Sequence, residues 1–259
     1  MTVSNDIDLS KKEMTFQTTP AKFRSDVDVQ LIDSMGGEYS IVRRARVSVQ
    51  GEDGKDVEVP TEVLAGPDAG LLRWLYKHRH GTPFEGPEFE WYFRVPIFVS
   101  RQIVKHRLSS INEESGRYRE LSGEFYFDPD NAPISQEGKV GDYNFVEAPP
   151  EILSIWQGIQ KATAQAAWDN YNAALEIGIA KETARKILPV STYTSMYFKC
   201  NLRSLLNFVS LRKDWGEDAL HASKAQREIE LVTDQIVPIL QERFPTVWAE
   251  FVNSGYVAV

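Results

Sequence analysis

Apolar and polar residues alternate in several stretches of the chain, and a period of two is typical of a half-buried β-strand. The clearest stretch is PEFEWYFRVP, residues 87–96, whose apolar side chains share one face: Phe89, Trp91, Phe93 and Val95. A shorter alternation starts at Val27 and stops at the turn signal Gly36-Gly37, and STYTSMYFK, residues 191–199, is rich in strand-forming residues. Three strands are therefore predicted.

Apolar residues at spacings of three and four predict helices elsewhere. The predicted helices cover residues 67–79, 97–108, 151–178, 181–188, 201–212 and about 219–242. In the helix over 201–212, one stripe predicts a buried face: Leu202, Leu205, Leu206 and Val209. The helix over 151–178 carries a comparable stripe: Ile152, Ile155, Ile159, Ala162 and Ala166.

Three segments show neither the alternation of a strand nor the three-and-four spacing of a helix. Residues 1–24 are polar and predict a flexible arm, residues 51–60 predict an exposed loop, and residues 128–150, rich in Pro, Gly, Asn and Asp, predict a long surface loop. Residues 25–259 contain no internal repeat and no domain-length linker, so they are predicted to form a single α+β domain. Its antiparallel or mixed sheet is expected to be flanked by long helices.

Charge and cysteine content narrow the possible functions. The 259 residues carry a formal net charge of −8, which disfavours nucleic-acid and membrane-surface binding because both require an extended basic face. The sequence has no apolar run of membrane-spanning length and no secretory signal, so a cytoplasmic protein is expected. Cys200 is the only cysteine, which excludes an intrachain disulfide and a multi-cysteine metal site within one chain.

The stretch KHRLSSINEESGRYR, residues 105–119, is basic although the chain is acidic. Within residues 101–119 five basic residues oppose only Glu113 and Glu114, which gives a net charge of +3. Arginine forks bind phosphate through paired hydrogen bonds, serine hydroxyls add donors, and Gly116 permits a close backbone approach. The stretch fits a nucleotide-like anion, but a solvated basic face paired with its own glutamates has the same composition. The residues alone leave both interpretations open.

The histidines and the cysteine give weaker signals. His78 and His80 are two residues apart, whereas metal ligands on a helix are normally four apart, so no metal site is predicted. A hydrogen bond to a cofactor, or a cation near the last carbonyls of a helix, is favoured for these histidines. No glycine-rich phosphate loop occurs, which disfavours a Rossmann nicotinamide site. The charge of Lys199 would favour a nucleophilic thiolate at Cys200, but a lone cysteine in this context is more often a small apolar filler.

The basic stretch contains most of a known signature, Arg-His-Arg followed after seven residues by Ser. This chain has Lys105-His106-Arg107 and then Ser115. Further motifs follow the same order along residues 27–240: ARVS at 45–48, HGTPFE at 80–85, RQIVKHR at 101–107, ARKILPVSTYTSMYFKCNLRSLLNFVSLR at 184–212 and AQREIE at 225–230. On these residues the chain resembles the flavin-dependent thymidylate synthases.

The resemblance implies a reaction, a cofactor and an assembly. Such enzymes transfer a one-carbon unit from methylenetetrahydrofolate to dUMP and form dTMP, with FAD as the cofactor and NADPH as its reductant. They use no cysteine nucleophile, so Cys200 is expected to be structural. They are homotetramers whose active sites draw on several subunits.

The resemblance also assigns site residues. The flavin or shared contacts that it implies are Ser48, His80, Thr82, Glu85, Lys105, His106, Arg107, Asn112, Glu113, Asn201, Arg203 and Asn207. The nucleotide contacts that it implies are Gln102, Glu114, Ser115, Gly116, Arg117, Arg185 and Arg212. Arg212 and Ser115 are the expected catalytic residues. Arg212 would lie against the uracil ring and favour its N3-deprotonated form, because a fixed guanidinium stabilises anionic charge. Ser115 would position the nucleotide through its hydroxyl.

Two departures from the family pattern support an alternative hypothesis. Lys105 replaces the first arginine of the signature, so the paired fork is lost there. After Arg212 the chain is longer than usual, and Lys224 stands where a histidine is often found. The alternative is a catalytically weakened homologue that still binds nucleotide and flavin.

Overall fold

The computed structural model describes residues 19–50, 64–139, 142–221 and 223–259. Their strands are β1 (Lys22–Arg24), β2 (Asp28–Met35), β3 (Glu88–Pro96), β4 (Ser110–Glu113), β5 (Glu124–Tyr126), β6 (Ser135–Lys139), β7 (Asp142–Val146) and β8 (Tyr193–Asn201). Their helices are α1 (Glu38–Gln50), α2 (Gly66–Lys77), α3 (Ile97–Ile103), α4 (Pro150–Glu176), α5 (Lys181–Ala184), α6 (Leu202–Leu211), α7 (Arg227–Arg243) and α8 (Pro245–Asn253). Short 3₁₀ turns lie at Thr82–Glu85, Arg185–Ile187 and Gly216–Asp218.

The chain divides into two compact units. The sheet unit comprises Ser25–Glu114 and Tyr193–Val259, and the long-helix unit comprises Ser115–Thr192 with the described part of Met1–Arg24. The combination of a mainly antiparallel sheet with separate long helices confirms the predicted α+β class. The division into an arm of residues 1–24 and one domain of residues 25–259 stays a prediction.

The sheet unit is built on an antiparallel sheet with the strand order β2-β3-β8-β4. The predicted alternation of β3 is confirmed, because its apolar face is buried: Phe89, Trp91, Phe93 and Val95. β8 pairs with β3 along its whole length and adds buried residues to the same face: Met196, Phe198 and Cys200. The small Cys200 lies opposite Phe89, which agrees with the predicted structural role of this cysteine.

Helices complete the core of the sheet unit. The predicted stripe of α6 is confirmed, since four residues are buried: Leu202, Leu205, Leu206 and Val209. The prediction of a helix from residue 219 is wrong for the described residues before α7. There the backbone N–H of Leu220 donates to the carbonyl oxygen of Gly255 at 3.0 Å, so a tertiary hydrogen bond replaces the helical pattern. The helix begins only at Arg227.

The long-helix unit pairs β1 with β5 in parallel and places α4 beside them. Its core contains Phe125 of β5 and residues of α4 and α5: Ala164, Trp168, Tyr171 and Ala184. The long helix was predicted at 151–178 and is observed at Pro150–Glu176. Its predicted stripe faces outward in this chain, because Ile152, Ile155 and Ile159 are 52%, 62% and 52% exposed. The helix therefore has two apolar faces, and only one of them is buried.

Regular structure replaces part of two segments that were predicted to be irregular. β6 and β7 form an antiparallel hairpin in which Ser135 pairs with Val146, so the prediction of a loop over 128–150 is wrong for these strands. Lys22–Arg24, within the predicted arm, forms β1. Residues 1–18 and 51–63 lie outside the described residues. Within the described ranges, none of the helices is both long and apolar enough to cross a membrane.

A remote glutamate caps the last helix of the sheet unit. Phe244, at the N-cap position of α8, provides no side-chain hydrogen bond, whereas Glu38 Oε1 accepts the backbone N–H of Val247 at 2.7 Å. Burial raises the pKa of Glu38, although the hydrogen bonds from α8 oppose this effect. Glu38 therefore stabilises the start of α8 at the cost of a buried carboxyl group.

We predict that Glu38→Ala lowers the free energy of unfolding by about 1–2 kcal/mol, because a helix N–H loses its acceptor. Glu38→Gln keeps an acceptor oxygen, so its free energy of unfolding should fall by clearly less. Urea unfolding followed by circular dichroism measures both changes. Equal losses in the two variants would show that the hydrogen bond to Val247 is unimportant.

Candidate active site

Helix α6 carries predicted contacts at both of its ends. Asn201 is its N-cap, and the Asn201 Oδ1 atom accepts the backbone N–H of Ser204 at 2.9 Å. Arg212 is its C-cap residue. The buried stripe holds the helix against the sheet and leaves Arg203 and Asn207 exposed. The sequence therefore folds into a rigid support with polar groups at its ends and on its outer face.

A histidine and an arginine from two predicted motifs meet at the end of α6. Arg212 Nε donates a hydrogen bond to His106 Nε2 at 3.0 Å. The His106 ring also makes an edge contact with Phe208, at 4.8 Å between ring centroids. Burial, and secondarily the charge of Arg212, lower the pKa of His106 to about 4. At neutral pH the site therefore contains an uncharged imidazole beside a half-buried cation.

Two glutamates at the edge of the sheet are anchored by neighbouring strands and α3. Glu113 Oε1 accepts hydrogen bonds from Thr194 Oγ1 at 2.9 Å and from Ser100 Oγ at 3.3 Å. Glu114 Oε1 accepts the backbone N–H of Ser195 at 2.9 Å, and Arg94 Nη1 lies 3.8 Å from the same oxygen. Sequence reasoning missed Arg94, whose polar position on β3 looked like ordinary strand alternation.

The remaining predicted residues of this motif are near the surface. Gln102 is half-buried, and its Nε2 donates to Gln226 Oε1 at 2.8 Å. The other predicted contacts are exposed: Lys105, Arg107 and Asn112. Side chains in such positions are accessible to a ligand.

The HGTPFE motif forms a turn that is tied to α6. Arg203 Nη1 lies 2.7 Å from Glu85 Oε1, and Arg203 Nε donates to the carbonyl oxygen of Val259 at 2.9 Å. Two predicted flavin contacts are thus brought together as an ion pair. Because both side chains are about half exposed, the pair contributes little stability, and a ligand could replace either partner.

A cavity of about 940 Å³ opens between α1, α2 and the turn at Thr82–Glu85. Two predicted flavin contacts, His80 and Thr82, line it. Trp74 also lines it and stacks on the His80 ring, with 4.9 Å between ring centroids and 27° between ring planes. Arg79 has a left-handed φ of 58°, and His80 N–H donates to Leu75 O at 2.9 Å, so the end of α2 turns His80 toward Trp74.

The chemistry of this cavity fits a flavin adenine dinucleotide. The ring systems of FAD need aromatic surfaces, and its pyrophosphate needs cations. The described lining supplies Trp74 and His80 together with Arg43 and Arg44, and it includes no carboxylate. A Cβ atom on Gly86 would lie 2.1 Å from Arg44 Nε, so a larger residue at this position would displace the Arg44 side chain from where it lies. Trp74 and Arg44 were not predicted, because no signature marks them.

The long-helix unit gathers four predicted nucleotide contacts. Ser115 Oγ accepts the backbone N–H of Arg117 at 3.3 Å, within a turn that Gly116 completes. A Cβ atom on Gly116 would lie 3.2 Å from Arg185 Cδ, so the turn and the Arg185–Ile187 segment pack closely. Arg117 Nε lies 3.0 Å from Glu182 Oε2. Two arginines and a serine hydroxyl therefore lie on neighbouring segments, a combination that suits a phosphate group.

Other predicted groups take no part in this chemistry or lie outside the described side chains. Ser48 belongs to the last turn of α1, where the side chains are not among those described. Cys200 is buried, and burial raises the pKa of its thiol, which disfavours a nucleophilic thiolate. Among the described residues, no three His, Cys, Asp or Glu side chains are grouped to hold a metal ion.

The fold and these sites define an α+β protein equipped to bind anionic nucleotides with aromatic rings. The family model for thymidylate synthase complementing protein matches residues 30–246, and the chain belongs to this family. The flavin-dependent thymidylate synthase of Tropheryma whipplei is 39% identical over 236 residues, which cover 91% of this chain and 96% of that protein. The enzyme of the same description from Streptomyces coelicolor is 38% identical over 240 residues, 92% of this chain and 95% of that protein.

A solved structure shows the same fold. It is a UMP/dUMP methylase, PolB from Streptomyces cacaoi, bound with 5-Br UMP. Its TM-score is 0.84 at 36% sequence identity, and the match covers 93% of this chain and 100% of that chain. The family resemblance predicted from the motifs is therefore confirmed.

We predict that Cys200 reacts with an aromatic disulfide reagent only after unfolding, because the residue is 4% exposed and the pKa of its thiol is raised. The release of coloured thiolate measures the reaction in native protein and in urea. Prompt labelling of the native protein would show that the thiol is accessible and reactive.

Proposed function

We propose that this chain is a flavin-dependent thymidylate synthase, which methylates dUMP reductively with methylenetetrahydrofolate as the carbon donor. FAD, when bound, supplies the redox chemistry, with NADPH as the reductant. The observation that carries the proposal is the half-buried Arg212 guanidinium, fixed by an uncharged histidine within the family's signature. The family match over residues 30–246 supports it.

Arg212 would act electrostatically on the uracil ring. Loss of the N3 proton leaves negative charge on the ring, and a guanidinium beside it stabilises that form. The charge of Arg212 acts more strongly on the ring because water is partly excluded from it. The same burial lowers the pKa of Arg212. Arginine nevertheless stays protonated at neutral pH, so the cation is permanent.

We assign the nucleotide phosphate to the long-helix unit contacts. Arg117 and Glu182 form an ion pair whose side chains are 48% and 52% exposed. Such a pair contributes little, so a dianionic phosphate can displace Glu182 at small cost. Ser115 and Arg185 add a hydroxyl and a second guanidinium. Gln102 and Glu114 of the sheet unit remain proposed nucleotide contacts.

We assign FAD to the cavity and to the polar groups around α6. His80, Thr82, Trp74 and Arg44 would hold it within the cavity. The other proposed contacts are Ser48, Glu85, Lys105, His106, Arg107, Asn112, Glu113, Asn201, Arg203 and Asn207. These side chains bind and orient the cofactor, whereas Cys200 contributes no chemistry.

We further propose that the protein is a cytoplasmic homotetramer, as the family resemblance implies. The outward apolar face of α4 supports self-association, because Ile152, Ile155 and Ile159 each expose about half of their surface or more. A contiguous apolar face of this kind is typical of an interface.

A second candidate is methylation of UMP. The similar structure of the Streptomyces cacaoi methylase was solved with both 5-Br UMP and 5-Br dUMP, so a ribose is accepted by a protein of this fold. Parallel assays with dUMP and UMP distinguish the two substrates. Flavin and nucleotide binding with neither product would instead identify the weakened homologue that Lys105 suggests.

We predict that the protein, supplied with FAD, NADPH, methylenetetrahydrofolate and dUMP, forms dTMP, and that Arg212→Ala lowers turnover about 100-fold. The free energy of unfolding should change by no more than about 1 kcal/mol. Mass spectrometry of the product and urea unfolding measure the two effects. Arg212→Lys is the matched control, because it keeps the charge but loses the fork. A parallel loss of stability and turnover would assign Arg212 a structural role.

We predict that Ile155→Glu dissociates the assembly, because it places a charge in the centre of the apolar α4 face. Light scattering after gel filtration measures the mass. Ser154→Glu is the control, since Ser154 is exposed on the same helix outside the stripe. If Ile155→Glu stays tetrameric, the α4 face does not form the interface.

A further inference from the structure

The hydrogen bond between Arg212 and His106 has a direction that chemistry dictates. The guanidinium group has donors and no acceptor, so Arg212 Nε must donate and His106 Nε2 must accept. An imidazole that accepts through Nε2 carries its proton on Nδ1. A flipped ring would put the Cε1 carbon in place of Nε2 and lose the bond. The contact therefore defines both the tautomer and the orientation of the ring.

The His106 ring is held from several directions. Phe208, fully buried on α6, meets its edge, and the backbone N–H of Arg212 donates to Phe208 O at 3.0 Å. Phe208 and Arg212 are four residues apart, so they contact the imidazole from one side of the helix. The backbone N–H of His106 donates to the backbone carbonyl oxygen of Ile103 at 3.0 Å. Ser109 Oγ donates to the backbone carbonyl oxygen of His106 at 2.5 Å. Side chain and backbone are both restrained.

We propose that His106 is a positioning residue for Arg212: its unprotonated Nε2 holds the guanidinium Nε–H and directs the two Nη groups toward the uracil ring. The inference rests on the proposed function and goes beyond it, because the family resemblance implies for His106 a flavin or shared contact and no role toward Arg212. A planar fork that is fixed at Nε offers its remaining donors in one direction, which suits two neighbouring acceptors on an N3-deprotonated pyrimidine. The conformational entropy of the Arg212 side chain is then lost during folding, and not when the nucleotide binds.

The tautomer can be tested without flavin or turnover. In protein labelled with ¹⁵N histidine, the His106 resonances should show a protonated Nδ1 and an unprotonated Nε2 at pH 7. His106→Gln identifies the resonances by their disappearance. A proton on Nε2 would overturn the inference, whatever the enzyme assay shows, since Nε2 could not then accept from Arg212.

A double-mutant cycle on dUMP affinity tests the positioning. Calorimetry on the flavin-free protein should show that His106→Leu weakens dUMP binding about 10-fold, a typical coupling between contacting residues, but less than about 2-fold in an Arg212→Ala background. His106→Gln, which keeps an acceptor near the Nε2 position, should recover most of the affinity. Equal weakening in both backgrounds would overturn the inference. So would a loss confined to FAD affinity, because His106 would then act on the flavin alone.

These binding measurements, taken together with the dTMP assay, separate this inference from the proposed function. A protein that binds dUMP through a coupled His106 and Arg212 but makes no dTMP refutes the synthase and leaves the positioning role intact. A protein that makes dTMP with additive effects of the two residues refutes the positioning role alone.

Discussion

The pairing of β3 with β8 is the constraint on which the sheet unit depends. Every residue of β3 pairs with a residue of β8, from Glu88 opposite Asn201 to Pro96 opposite Tyr193, and each buried residue of β3 lies opposite a buried residue of β8. A slip of β8 by one residue would turn its apolar residues to the opposite face of the sheet from those of β3. Because β8 runs directly into α6, the same slip would move Arg212, so the register of two strands sets the position of the proposed catalytic charge.

The other edge of β8 pairs with β4, so the register of β8 also sets the position of Glu113 and of Glu114 after it. β4 pairs with β8 so that Glu113 is opposite Met196, and the Thr194 hydroxyl reaches the Glu113 carboxylate. Arg212 and the two glutamates are thus held by one strand, with α6 continuing from its end and β4 along its side. A site built on regular elements keeps its geometry better than one built on loops.

Local periodicity explains which elements could be predicted from the sequence. β3 and α6 were predictable because one face of each is buried, which imposes a period on the residues themselves. The β6-β7 hairpin was missed because its short strands gain order from each other. The start of α7 was misplaced because the Leu220 N–H bonds to Gly255, far away in sequence. Contacts of this kind leave no local pattern.

The candidate site likewise contains residues that could be predicted from the sequence and residues that could not. Motif likeness predicted His106 and Arg212 separately, but their hydrogen bond joins residues 106 positions apart and needed the fold to be seen. Phe208 could have been noticed, since it precedes Arg212 by one helical turn. Trp74 and Arg44 could not, because they line the cavity from helices that carry no signature at those positions.

The cap on α6 limits what Asn201 can recognise. Its side-chain oxygen accepts the Ser204 N–H, which fixes the orientation of the amide and leaves one lone pair of that oxygen and both N–H donors for other partners. Toward a flavin, the amide nitrogen of Asn201 can therefore donate to a carbonyl oxygen or an unprotonated ring nitrogen. The residue that begins the helix thereby also offers hydrogen-bond donors in a fixed orientation to what binds beside it.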